Sequence, residues 1–200
     1  MMSRTHIFVG TMTAMAVMKP QSAQECVTAL IGGLVGGIIC DVDLKIGRAS
    51  RIKQTAGISG VLLAAGLILN WVLQTGSFRC VCGDAHPTFA PGLFCFSLLV
   101  VWGMKQPHRG GMHSLLVVAL LGGCVWMMCV AMAVPFGVAV LSHIALDMLN
   151  HKPLRLLYPL SAGWCLGVGR VDGRMNRWLC HMGILGTVFE IGVCIGRIRG

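Results

Sequence analysis

"HRGGMHSLLVVALLGGCVWMMCVAMA", His108 to Ala133, opens on a polar heptapeptide and then continues to its end without a charged side chain. The apolar run read over residues 113–133 is close to the roughly 20 residues with which an α-helix crosses the hydrocarbon core of a bilayer. Working outward, runs of similar length lie at 22–40, 56–74 and 180–196, and shorter ones at 6–18, 91–105 and 135–149. Composition agrees: 56% of the 200 residues are hydrophobic and 12% charged, against about 25% charged in soluble domains. The pattern predicts an all-α, polytopic integral membrane helix bundle of about 5–7 hydrophobic helices, one membrane-embedded domain over 1–200 with no soluble domain left over. The first run is short and has no small-residue cleavage site before Lys19 and Pro20, so it is read as part of the mature protein.

If the seven runs cross or dip in turn, the connections alternate between two faces. The N-terminal face receives Arg4, Lys45, Arg48, Arg51, Lys53, Lys105, Arg109, Lys152, Arg155, Arg170, Arg174 and Arg177, twelve of the sixteen basic residues. The other face keeps Lys19, Arg79, Arg197 and Arg199. The positive-inside bias then makes the N-terminal face cytoplasmic in a multi-pass protein of the plasma (inner) membrane. The net charge of +9 is accounted for by topology and anionic headgroups, and nucleic-acid binding is not needed to explain it.

Of ten cysteines, eight lie in or beside apolar segments, where cysteine behaves as a small hydrophobe. "CVCGDAHP", Cys80 to Pro87, is a polar loop whose Cys80, Cys82, Asp84 and His86 suit a metal or a strained disulfide, but C-x-C is a weak signal and the loop is read as one of no special chemistry. Glycines such as those in "GGLVGG", 32–37, let helices approach closely.

The rare polar groups gather. Seven Asp or Glu and seven His occur in the whole chain, and half of these fourteen fall in four places: His6; Asp41 and Asp43 in "CDVD"; His108 and His113 in "HRGGMHS"; His143 and Asp147 in "SHIALD". On the alternating layout all four meet at the N-terminal face. His143 and Asp147, four apart, share one face of a helix. Gly110 and Gly111 are expected to reverse the chain between the two histidines, and Ser114 to start the next helix. Imidazole and carboxylate ligands at one depth describe a site for one or two divalent ions such as Zn, Mn or Mg. Ionisable groups at the edge of spans are costly and point to function. His151 is read as lying outside the ligand set, because the helix should end near Asn150 and Pro153; His181 and His86 fall outside the site, and Glu190 is expected to make an interhelical hydrogen bond.

With these residues laid out, the sequence resembles the YdjM-like family of predicted membrane-bound metal-dependent hydrolases. That family's pattern is an N-terminal His followed by Gly, a "PDID"-like acidic pair, "HRGxTHS", and "SHxxxD" followed by a "PL" or "LLWP" stretch. Here these read "THIFVG", "CDVD", "HRGGMHS" and "SHIALDMLNHKPLRLLYPL", over about residues 5–160. Cys40 stands where the family usually has Pro and Met112 where it usually has Thr; neither removes a ligand. The C-terminal helix at 180–196, with Arg170, Arg174, Arg177 and Glu190, is unmatched by these motifs.

The resemblance implies hydrolysis. Chemistry narrows it: divalent ions activate water for displacement at phosphorus, and Arg109, between two ligand histidines, is the natural holder of a phosphate. Arg109 and Asp43 are the expected catalytic residues. A site at headgroup level, with no soluble domain, favours a membrane lipid or lipid-linked phosphate or pyrophosphate as substrate. The competing class is a multi-span metal-ion transporter or channel using the same cluster, although transporter sites tend to lie near the midplane between repeats and no repeat is visible.

Overall fold

The computed structural model describes residues 2–43, 87–169 and 173–199. The apolar run at 56–74, the basic cluster Lys45 to Lys53, Arg79, the loop Cys80 to His86, and Arg170 lie outside the described residues.

The described residues form six α-helices and no strand. Helix α1 covers Ser3–Met18 and α2 Ala23–Ile39. Between them Lys19 takes a left-handed conformation, its N–H bonding the Met15 carbonyl, and Pro20 cannot continue the helix. Ser22 then starts α2. Its Oγ accepts the Glu25 N–H at 3.1 Å while the Glu25 carboxylate accepts the Gln21 N–H at 2.8 Å, a capping box displaced by one residue. A short 3-10 turn, η1 (Cys40–Asp43), prolongs α2.

Further on come α3 (Phe89–Lys105), a second 3-10 turn η2 (Gly111–His113), α4 (Leu115–Met128), α5 (Val130–Met148) and α6 (Arg174–Arg199). The apolar run read at 113–133 is therefore not one helix. It breaks at Cys129, which is extended (φ −155°, ψ 99°), and α5 folds back after that single residue. The Thr88 hydroxyl, donating to the Met127 carbonyl at 2.8 Å, supports the end of α4. No polar residue marks this reversal, so hydropathy could not place it.

Three described segments are long and apolar enough to cross a membrane: Ala23–Asp43, Val130–Met148 and Arg174–Arg199. The 14 residues of α4 rise only about 21 Å at 1.5 Å each, short of a core of about 30 Å.

Backbone contact across the glycines of α2 holds the centre of the bundle. A Cβ on Gly33 would lie 2.7 Å from the Thr11 Cα of α1, and one on Gly37 2.7 Å from the His6 carbonyl oxygen; one on Gly36 would overlap the Phe136 carbonyl of α5. Side chains of Met112, Val117, Leu121, Val125, Phe136, Val140 and Ile144 pack with Cys40 into the main apolar core. Cys40 and Met112, the two departures from the family motifs, are thus core residues. Outward-facing Leu98, Leu120, Trp126, Val134 and Leu141 are exposed, as expected of a bundle solvated by lipid.

The start of α1, the ends of α2, α3 and α5, and the starts of α4 and α6 share one end of the bundle. Across it lies residues 149–169, with isolated bridges between Asn150 and Gly169 and between Leu154 and Trp164.

Candidate metal centre

The candidate ligands meet at that shared end. His6 comes from the first turns of α1, Asp41 and Asp43 from η1, His108 from the turn after α3, His113 from η2, and His143 and Asp147 from α5. His6, Asp43, His113, His143 and Asp147 are buried; Asp41 is partly so, and the His108 side chain is 32% exposed.

Their spacing is informative. His6 Nε2 is 3.3 Å from Asp147 Oδ1, His113 Nε2 3.5 Å from Asp147 Oδ2, His113 Nδ1 3.4 Å from Asp43 Oδ2, and His143 Nε2 3.7 Å from Asp41 Oδ1. Hydrogen bonds between such groups run at about 2.7–3.2 Å. Two ligands of one tetrahedral ion, at about 2.0–2.2 Å from it, are about 3.3–3.6 Å apart. Both ring nitrogens of His6 and of His113, and Nε2 of His143, are buried without a hydrogen bond, which is uncommon for buried polar atoms. His143 Nδ1 pairs with the Gly37 carbonyl at 2.8 Å; that orients the ring and leaves Nε2 as a lone-pair donor, the usual support of a metal-binding histidine. The donor set therefore fits a divalent ion. Two groups of three have ligand atoms all within 4.8 Å of one another, His6 with His143 and Asp147, and Asp41 with His108 and His113. Asp43 lies beside the second group, its Oδ1 2.7 Å from His108 Nδ1.

Arg109 is placed differently from the expectation of a free fork. Its Nη1 donates to the Lys152 carbonyl at 2.7 Å and its Nη2 to Asp147 Oδ1 at 3.2 Å, while Nε is buried without a partner. Its backbone N–H donates to Asp43 Oδ2 at 3.2 Å. The turn also departs from expectation: the left-handed residue is Arg109 itself (φ 67°), not Gly110 or Gly111. Those glycines supply space, since a Cβ on Gly111 would overlap the Trp102 ring and one on Gly110 would lie 2.7 Å from the Pro107 carbonyl. Ser114 caps α4 as expected, accepting the Val117 N–H at 3.3 Å.

Several supporting residues carried no legible signal. Ser3 Oγ donates to Asp41 Oδ2 at 2.7 Å, and Thr5 donates to Asn176 Oδ1 at 2.9 Å, tying α6 to α1 one residue before His6. These partners are 38 and 171 positions apart. His151 and His181 are exposed. Glu190, expected in an interhelical hydrogen bond, makes none among the described residues.

The model of the YdjM inner membrane protein family matches residues 1–195. The chain belongs to this family. The match extends well beyond the 5–160 covered by the motifs, so α6 is part of the family unit and not an appendage. Membership and the apolar helices together make this an inner-membrane protein. No curated protein and no solved structure matches the chain significantly.

Proposed function

We propose that this protein is a membrane-bound, metal-dependent hydrolase of a phosphoester or pyrophosphate bond in a lipid-linked substrate, with its site on the cytoplasmic side. The observation that carries the reading is the convergence, at one end of the bundle, of imidazole nitrogens that make no hydrogen bond on carboxylates 3.3–3.7 Å away: His6 on Asp147, His113 on Asp43 and Asp147, and His143 on Asp41. Twelve of sixteen basic residues assigned to that end by the alternating layout support the cytoplasmic side.

In this reading His6, His143 and Asp147 would hold one divalent ion, and Asp41, His108 and His113, with Asp43, a second. Such ions supply Lewis acidity, making water nucleophilic near neutral pH and offsetting phosphate charge. The protein's own groups do the rest. Asp43 orients His108 through Nδ1 and leaves Nε2 of this partly exposed ring as its free donor atom. Arg109 fixes Asp147 through Nη2, and its buried Nε–H, which has no partner, is the donor left for a phosphate oxygen once substrate enters the site.

The decisive experiment supplies the purified protein with phosphorylated lipids and, in turn, Zn, Mn and Mg ions, and measures released phosphate. Turnover that depends on the ion supports hydrolysis. Ion uptake into protein-containing vesicles with no turnover of any phosphorylated lipid would favour the transport reading.

A further inference from the structure

Residues 157–168 carry an excess of exposed apolar side chains. Leu157, Leu160, Trp164, Leu166 and Val168 are between 47% and 69% exposed, within a short non-helical segment of the kind that normally presents polar groups to water. Contiguous apolar surface of this sort marks an interaction site.

The segment is firmly held. Leu154 and Trp164 exchange both backbone hydrogen bonds at 2.8 Å, and the N–H groups of Leu166 and Gly169 reach the carbonyls of Met148 and Leu149 at 2.7 Å. The Leu115 N–H donates to the Leu156 carbonyl at 3.0 Å, and the Arg109 guanidinium grips the Lys152 carbonyl. Buried Leu154 anchors it to the core. Its apolar side chains are therefore held outward by a defined fold.

We propose that residues 150–169 form an interfacial wedge, whose leucines, valine and tryptophan insert at the boundary between headgroups and acyl chains at the site end of the bundle. Two observations select the bilayer as occupant. The segment adjoins the start of α4, where Leu115 and Leu116 are exposed and the Leu115 N–H bonds the Leu156 carbonyl. The segment also carries His151, Lys152 and Arg155 and no Asp or Glu, which complements anionic headgroups, and tryptophan is favoured at this level. Depth is bounded as well. A non-helical backbone that leaves some N–H and C=O groups without a protein partner cannot enter the hydrocarbon core, so insertion is shallow. Because the wedge grips Arg109, it sets the level of the metal centre relative to the headgroups, whatever reaction that centre performs.

The test uses the full chain reconstituted in phosphatidylethanolamine and phosphatidylglycerol vesicles whose acyl chains carry bromine either high on the chain or near its end. The Trp164 emission is isolated as the difference between the wild type and Trp164→Phe. It should be quenched most by bromine high on the chain, less by bromine near the end, and little by acrylamide in the water. Strong acrylamide quenching with no effect of bromine would make the segment a water-exposed loop and overturn the wedge. Insensitivity to both would also overturn it, placing protein, such as a second copy, over the patch. Leu160→Trp in the Trp164→Phe background gives an independent reporter, with the same depth order expected.

Discussion

Arg109 Nη2 donates to Asp147 Oδ1 at 3.2 Å from a residue whose own backbone sits at φ 67°. A non-glycine residue in that region costs about 1–2 kcal/mol, and the surrounding bonds offset the cost: Nη1 to the Lys152 carbonyl, the backbone N–H to Asp43, and the Arg109 carbonyl accepting the Arg155 N–H at 3.4 Å. Strain held in this way commonly accompanies a working site.

Arg109→Lys should retain bound metal yet lose turnover of a phosphorylated lipid by about one to three powers of ten, the scale of one charge contact in a transition state. A lysine ammonium is a single point and cannot span Lys152 and Asp147 while offering a further donor. Arg109→Gly separates backbone from side chain, because glycine accepts the φ without strain, and should lose activity at least as far. Unchanged turnover in Arg109→Lys would reduce Arg109 to an anchor of the turn.

Alanine at Asp41, Asp43, His113 or Asp147 should abolish bound metal while the protein still inserts in the membrane. His151→Ala, at an exposed position, should keep the full complement. Metal analysis of the purified variants checks this, and full occupancy in all four would dismiss the centre.

Ser3→Ala removes the hydroxyl that holds Asp41. Groups that orient ligands typically contribute about 10–100-fold to metal affinity, so the metal dissociation constant, measured by competition with a chelator, should rise by about that factor with helix content unchanged. An unaltered constant would detach Asp41 from the metal.

Gly36→Val forces a side chain into the Phe136 carbonyl and should separate α2 from α5, costing about 1–3 kcal/mol and lowering bound metal. Nothing lies within 4 Å of a Cβ on Gly123, and Gly123→Ala should stay within about 0.5 kcal/mol of the wild type. Denaturation in mild detergent compares the two.

For orientation, single cysteines at Lys152 and Lys19 sit at opposite ends of the described bundle. With all ten native cysteines replaced by serine, an impermeant thiol reagent added to intact cells should label Lys19→Cys and spare Lys152→Cys. The reverse pattern would put the site outside the cytoplasm.

Much of the site was legible because its chemistry is rare in this chain. Seven His and seven acids among 200 residues make any grouping conspicuous, and alternation of apolar runs suffices to bring His6, "CDVD", "HRGGMHS" and "SHIALD" to one end. Ser3, Thr5 and Asn176 were not legible, since serine, threonine and asparagine are ordinary residues at helix ends and their partners are set by packing between distant segments. The reversal read between the runs 113–133 and 135–149 falls earlier, at Cys129, for another reason: a turn buried in apolar surroundings needs no polar residue, so hydropathy does not fix its position.

The amino-acid sequence by itself determined that this is a helical membrane protein and which rare side chains are gathered at one end of it, because apolar length and the cost of placing ionisable groups in lipid are local properties of the chain. Only the tertiary structure decided which nitrogen faces which carboxylate, that Arg109 bears the left-handed turn and grips Asp147, and that the segment after α5 turns its apolar side chains outward. Those relations depend on how closely α1, α2 and α5 approach across Gly33, Gly36 and Gly37, a matter of fractions of an ångström between residues far apart in sequence, which composition and spacing do not encode.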